Sequence, residues 1–182
     1  VTLGGKISRS SLDHPFFPAH GSRFSLSGSW AMGAAGLGNT DFLKTELSFQ
    51  MLAPLMKIDE MDRVVLSLQT KFGYIEGFET DTTIPPIELY YMGGSGLSGF
   101  GVTPMRGYTD RSVGPEYGGR VQTLHTAELR FALSLNPMPV YFYAFAEAGN
   151  VWNSLKETDP FNLKRSAGVG VQLMLQPIGI IG

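Results

Sequence analysis

Apolar and polar residues alternate along most of this chain, and the alternation constrains the fold more than any other feature of the sequence. In residues 22–32, four large apolar side chains alternate with one arginine and three serines. Residues 43–51 and 64–74 repeat the pattern. Because successive side chains of a β-strand point to opposite faces, each segment predicts a strand with one apolar and one polar face.

Four further segments are predicted as strands on the same grounds: residues 2–9, 121–133, 140–152 and 165–176. Turn-forming residues separate the strands, at residues 13–21, 33–39, 53–54 and 136–139. No segment predicts a convincing helix. The predicted fold class is therefore all-β, an antiparallel meander of seven strands, and residues 177–182 are expected to begin a further strand.

Alternation alone does not reveal whether the apolar faces meet a protein core or lipid, because a soluble β-sandwich shows the same pattern. No stretch approaches the roughly 18 to 20 apolar residues of a membrane helix, so only strands could cross a membrane. Charged residues make up 16% of the chain, whereas roughly 25% is usual in a soluble domain. The predicted connection at about residues 75–120 is long and the one before residue 140 is short, as in transmembrane barrels. A membrane barrel is favoured, with a soluble sandwich or barrel as the alternative.

Charge and cysteine content exclude several classes of function. A net charge of -2 and a pI near 5.9 provide no basic surface, so no nucleic-acid partner is expected. Without cysteine the chain has neither disulfides nor thiolate metal sites. No signal peptide is recognisable, and bacterial barrels have an even number of strands, so the chain is expected to be a processed protein or a fragment.

Motifs for common chemistries are weak. Residues 94–99 match G-x-G-x-x-G, but the glycines and prolines that follow are incompatible with the helix of a nucleotide site. His14, His20 and His125 do not pair at a metal-ligand spacing. A hydrolase built on His125 and a serine has no sequence signature. We therefore expect no metal, no cofactor and no enzymatic activity.

Charged residues on neighbouring predicted strands form the most informative arrangement. The alternation in residues 140–152 turns Glu147 to the inner face, and Glu128 shares the inner face of the preceding strand with Arg130. Two carboxylates facing one enclosed space need a cation, and a guanidinium fits a carboxylate in a planar, bidentate geometry. Arg106, in the long connection, is the candidate. The alternative is that Arg106 is solvated and that Arg130 alone neutralises Glu128.

Eight short motifs occur in the order found in one known family: LDHPFFP with GSR at residues 12–23, YYMGG at 90–94, MRGY at 105–108, GP and GG at 114–119, AELRF at 127–131, FAEAGNVW at 145–152, SAGVG at 166–170 and PIG at 177–179. Through them the chain resembles the BamA-type outer-membrane insertases. This family includes TamA-like factors and two-partner secretion transporters. The resemblance spans nearly the whole chain.

The resemblance implies a 16-stranded transmembrane β-barrel, of which this chain would be about strands 8 to 14. The long extracellular loop, at about residues 75–120, would fold into the lumen. There Arg106, Gly107 and Tyr108 would form a structural lock with Glu128 and Glu147. Two departures from the family are Glu147 in place of aspartate and an apparent insertion before Arg106. The N-terminal periplasmic repeats, the first strands and the closing strand are expected to lie outside this sequence.

The function implied is that of an assembly factor which folds and inserts β-barrel proteins into the bacterial outer membrane. Nascent barrel proteins, outer-membrane lipid and accessory lipoproteins would be its partners. A two-partner-type secretion pore or a TamA-like translocation factor is the alternative within the superfamily. A porin or a barrel enzyme acting on lipid is the alternative from another class.

Overall fold

The computed structural model describes residues 2–14, 18–33, 40–58, 61–78, 83–95, 101–134, 140–175 and 179–181. Its strands are β1 (Thr2–Ser10), β2 (Gly21–Ala31), β3 (Phe42–Ile58), β4 (Met61–Gly77), β5 (Tyr91–Met92), β6 (Val102–Thr103), β7 (Val121–Ser134), β8 (Val140–Trp152), β9 (Lys164–Leu175) and β10 (Gly179–Ile181). A single 3-10 turn, Leu155–Glu157, is the one helical element of the described residues. None of the described residues form a helix long and apolar enough to cross a membrane.

Eight strands form one antiparallel sheet in the order β1-β2-β3-β4-β7-β8-β9-β10. The predicted meander is confirmed, and each of the seven predicted strands has its counterpart in this sheet. The eighth strand, β10, lies where a further strand was expected to begin. The sheet is not closed on itself, and β1 and β10 are its edges within the described residues. Between β4 and β7 lies the long loop, of which residues 78, 83–95 and 101–120 are described, and in which β5 and β6 pair in parallel.

The turn predicted at residues 53–54 is wrong, because β3 continues through Pro54 as far as Ile58. Proline cannot donate a hydrogen bond and is normally confined to strand edges or bulges. Here β2 begins at Gly21, opposite Leu52, so the part of β3 beyond Leu52 has only β4 beside it. A register shift between Pro54 and the second residue after it accommodates the irregularity. The turn predicted at residues 136–139 and most of that at 33–39 lie outside the described residues.

The turn between β1 and β2 is closed by a side chain of the LDHPFFP motif. Asp13 accepts hydrogen bonds from the backbone amides of Ala19 and His20, at 3.0 and 3.1 Å. Partial burial acts to raise the pKa of Asp13, but the two amides outweigh it and the pKa is lowered. The carboxylate form therefore holds the turn, while residues 15–17 of the motif lie outside the described residues.

The two faces of the sheet differ in chemistry, as the alternation predicts. On one face, Ile7, Leu26, Leu47 and Phe72 are aligned across β1 to β4. Many large apolar side chains of this outer face are exposed, among them Leu3, Ile7, Phe24, Trp30, Phe49, Leu129, Phe131, Phe142, Val169 and Val171. The opposite, inner face carries serines, glutamines and charged residues. An exposed apolar surface of this extent, rimmed by polar residues, indicates contact with lipid or with another protein.

The long loop covers part of the inner face and supplies the buried core. Met92 and Met105 are fully buried, and Val113 is nearly so. They pack with apolar residues of the sheet, including Ile75 and Leu124. The loop is therefore a packed layer on the inner wall, and this layer positions the residues of the candidate site.

Candidate functional site

The backbone of the long loop turns at Arg106 because of the residues on either side of it. Met105 is buried and forms an isolated β-bridge with Gly94, while the amide of Gly94 donates to the carbonyl of Tyr108 at 2.9 Å. Gly107 has a φ of 83°, a backbone conformation that residues with a side chain rarely adopt. The tight turn directs Arg106 toward the wall formed by β7 and β8.

Arg106 and Glu147 make a multiple contact. The backbone amide of Arg106 donates to Oε2 of Glu147 at 2.8 Å, and Nε donates to Oε1 at 2.9 Å. Nη2 lies 2.7 Å from the same Oε1. Charge-assisted hydrogen bonds at these distances are among the strongest in proteins. Both the backbone and the side chain of the loop residue are therefore tied to β8.

Glu128 extends the contact into a chain of four charged groups. Nη1 of Arg106 donates to Oε2 of Glu128 at 3.1 Å, and Nε of Arg130 donates to Oε1 at 2.7 Å. The two sequence interpretations therefore both describe part of the site, since Arg130 and Arg106 share Glu128. Two guanidinium groups and two carboxylates give the chain no net charge.

The carboxylates of the site are buried, so each needs a cation close to it. The side chains of Glu147 and Glu128 are 6% and 12% exposed, and that of Arg106 is 32% exposed. Burial acts to lower the pKa of Arg106, but hydrogen bonds and charges, first of Glu147 and then of Glu128, outweigh it and raise the pKa. The guanidinium therefore stays charged, and it compensates carboxylates that solvent scarcely reaches.

Aromatic rings complete the surroundings of the guanidinium. The central carbon of Arg106 lies 3.7 Å from the ring centroid of Phe145 and 5.6 Å from that of Tyr143. A cation above an aromatic face is attracted to it, more so when partly desolvated. These rings rest against Gly168 and Gly170 of β9, where a Cβ would come within 2.8 and 2.6 Å of ring carbons. The glycines therefore leave the space that the rings occupy.

Gly107 and Tyr108 contact the next strand. A Cβ at Gly107 would lie 3.3 Å from the Cβ of Ser166, so the loop backbone passes close to β9. The hydroxyl of Tyr108 donates to the backbone carbonyl of Arg165 at 2.9 Å. The structure thus brings all five candidate residues of the sequence analysis to one region that joins the loop to β7, β8 and β9.

A second attachment of the long loop lies on β3 and β4, and the sequence analysis missed it. Nζ of Lys44 lies 2.9 Å from the carbonyl and 3.2 Å from Oε2 of Glu88, and 5.0 Å from the ring centroid of Tyr90. Burial, followed by the charges of Glu46 and Glu88, raises the pKa of Tyr90. The ring of Tyr90 occupies the space above Gly73. A glycine inside an amphipathic strand was the signal that could have indicated a close approach.

The structure describes the surroundings of His125, which was weighed as part of a hydrolase site. Both ring nitrogens of His125 lie within 3.1 to 3.2 Å of threonine hydroxyls, those of Thr70 and Thr123, rather than of a serine. Within the described ranges, no group of three or more histidine, cysteine or acidic residues could hold a metal ion. Most of the glycine-rich segment 94–99 lies outside the described residues.

Comparison with known proteins decides the family. The sequence profile of the Omp85 superfamily domain matches residues 1–181. The chain belongs to the Omp85 superfamily. Its fold is also that of part of a solved structure, "BamA from Haemophilus ducreyi lacking POTRA domains 1-3", with a TM-score of 0.78 and 22% sequence identity. The match covers 98% of this chain and 37% of that chain, so this chain spans well under half of that protein.

Membership in the Omp85 superfamily and the shared fold resolve the open question of the apolar face. The antiparallel meander is part of an outer-membrane β-barrel, and the prediction of a transmembrane barrel portion of the BamA type is confirmed. The soluble sandwich is thereby excluded. The exposed apolar side chains of the outer face are the surface that meets lipid, and the long loop lies on the lumen side.

Proposed function

We propose that this chain is part of the barrel of an assembly factor that folds and inserts β-barrel proteins into the bacterial outer membrane. The observation that carries the proposal is the double attachment of the long loop, through Arg106 on one side and Tyr90 on the other. A loop held at both positions lies across the inner wall. Because the loop occupies part of the lumen, this arrangement favours insertion of proteins at the barrel wall over passage of a polypeptide through an open lumen.

In this proposal the chain performs no covalent chemistry and needs no metal or cofactor. The barrel distorts the adjacent bilayer, and a nascent strand pairs with an exposed strand edge by β-augmentation. Arg106, Gly107, Tyr108, Glu128 and Glu147 act as a structural lock that keeps the loop in its working position. The expected partners are nascent barrel proteins, outer-membrane lipid and accessory lipoproteins of an assembly complex.

The experiment is depletion of the full-length protein in its host, followed by quantification of several unrelated barrels in the outer-membrane fraction. An assembly factor predicts that all of them decrease together. Loss of one exported protein while the barrels persist would instead indicate a secretion pore or a dedicated translocation factor. Re-expression of the wild-type protein should restore the barrels, whereas the Arg106→Ala variant should restore them only in part.

A further inference from the structure

The outer face of the sheet contains a depression of about 760 Å³ over β4, β7, β8 and β9. Its floor is made of small side chains: Ala127, Ala146 and Ala167 lie in one row across three strands. Leu68 continues this row on β4 and forms one wall. Leu129, Phe131 and Val169, in the next rows of the outer face, are larger, so the alanines create a local groove in the lipid-facing surface.

The adjacent row of residues makes one end of this groove polar. Thr70, His125, Ala148 and Arg165 are aligned across the same four strands. Adjacent strands lie about 4.8 Å apart, so His125 and Arg165 are about 10 Å from each other, with only a methyl group between them. The ring of His125 is fixed by two threonine hydroxyls. A gap therefore remains above Ala148, bordered by a guanidinium on one side and an imidazole on the other.

Arg165 lacks an anionic partner among the described residues, and its side chain is exposed. The backbone of Arg165 is nevertheless held in place, because its carbonyl accepts a hydrogen bond from the hydroxyl of Tyr108. It lies at the start of β9, which is reached through a connection on the same side of the sheet as the long loop. A cation at the border of the apolar surface is positioned where lipid headgroups begin.

We propose that this groove binds a phosphate-bearing acyl lipid from the leaflet on the long-loop side. The phosphate lies above Ala148 and pairs with Arg165, and one acyl chain lies along the alanine floor. A guanidinium suits a phosphate because its donors form a planar fork. The apolar floor of the groove matches the acyl chain of such a lipid, and the cationic end matches its phosphate.

The experiment uses the full-length protein, purified in detergent and examined by native mass spectrometry. The probes are dimyristoyl phosphatidic acid and dimyristoyl glycerol, which differ by the phosphate group. The Arg165→Gln variant removes the cation, and Ala146→Leu fills the groove from a lipid-facing position. Matched controls are Arg9→Gln, with the same charge change at the other end of the row, and Val169→Leu, outside the groove. Each variant is first shown to be folded by the resistance of its barrel to unfolding in cold detergent.

We expect the wild-type protein to retain phosphatidic acid about tenfold better than diacylglycerol. Arg165→Gln should lose most of this preference, and Ala146→Leu should lower the retention of phosphatidic acid. A tenfold ratio corresponds to about 1.4 kcal/mol. The two control variants should bind as the wild type does. Equal retention by all folded variants would overturn the proposal. Displacement of the lipid by millimolar inorganic phosphate would also overturn it, because the site would then recognise free phosphate rather than a lipid.

Discussion

Glu147 holds the long loop more firmly than Glu128 does, because their contacts differ in number and kind. Glu147 accepts from the backbone amide and from two nitrogens of the Arg106 side chain. Glu128 receives a single contact from Arg106 and keeps a second cation, Arg130, when that contact is lost. The backbone hydrogen bond fixes the path of the loop itself, which a side-chain contact alone cannot do. Removal of the Glu147 carboxylate should therefore destabilise the long loop more than removal of the Glu128 carboxylate.

Substitution of Arg106 by alanine should loosen the long loop. Breaking a fully buried ion pair costs about 3 to 5 kcal/mol. Because the side chain of Arg106 is 32% exposed, water will compensate part of the loss. We expect a local cost of about 1 to 3 kcal/mol, and cleavage of the loop by a protease at least about fivefold faster.

The control for Arg106→Ala is Arg111→Ala, which removes an exposed guanidinium from the same loop, where it lies 4.6 Å from the ring centroid of Tyr91. This variant should be cleaved at nearly the wild-type rate. Wild-type protease resistance of the Arg106→Ala loop, together with normal barrel assembly in cells, would contradict the structural lock.

The two carboxylates can be ranked by neutral substitutions. Glu147→Gln should destabilise the loop by about 2 kcal/mol, because three charge-assisted contacts are weakened at a side chain that solvent scarcely reaches. Glu128→Gln should cost about 1 kcal/mol or less, since Arg106 keeps Glu147. Hydrogen exchange of the amides of residues 105–108 measures both effects. Equal effects, or the reverse order, would show that the backbone contact is not the main attachment.

At the scale of the strand, glycines determine where inner-face rings can lie. Gly168 and Gly170 on β9 leave room for the rings of Phe145 and Tyr143 on β8, and Gly73 on β4 does the same for Tyr90. In each case a ring belonging to one segment covers the bare backbone of another. The glycines thus support the two attachments of the loop without touching the charged groups.

Gly168→Val should weaken the attachment of the long loop from a neighbouring strand. The new Cβ would lie 2.8 Å from two carbons of the Phe145 ring, and the ring would have to move from beneath the guanidinium of Arg106. Overpacking of this kind costs about 1 to 3 kcal/mol. Protease sensitivity of the long loop should rise. The control is Gly28→Val on β2, where nothing lies within 4 Å of the added Cβ; it should leave the loop unchanged.

Alternation of the sequence was sufficient to predict the elements of the main sheet, because a period of two specifies both strand and face. It predicted that Glu128 and Glu147 share the inner face, and the structure agrees. The end of β3 was misjudged because the tolerance of Pro54 depends on where the neighbouring strand begins. The attachment through Lys44 and Tyr90 was missed because it joins residues far apart in sequence, which no local period encodes.

At the scale of the whole molecule, a single row of residues indicates how the sheet lies in the membrane. The row starts at Arg9 on β1 and ends at Arg165 on β9, with Phe24 and Phe49 between them. The row crosses six strand spacings of about 4.8 Å each. Because barrel strands are tilted by about 40° from the membrane normal, the two ends of the row differ in height along that normal by about 19 Å, which is most of the apolar band, about 25 Å tall, of a membrane barrel. One row therefore carries a cation at each border of the lipid-facing surface.

Adjacent residues on β2 test this orientation, because they face opposite ways. Leu26 lies on the outer face between Ile7 and Leu47, whereas Ser25 lies on the inner face between Ser8 and Ser48. An arginine at the lipid-facing midplane of a barrel costs about 2 to 4 kcal/mol, and one in the lumen costs little. Leu26→Arg should therefore lower the free energy of unfolding of the full-length barrel in phospholipid vesicles by about that amount, measured by urea titration, while Ser25→Arg should change it only slightly. Equal losses would mean that both faces of β2 are enclosed by protein, and a larger loss for Ser25→Arg would reverse the assignment of lipid and lumen sides on which the orientation of the whole sheet rests.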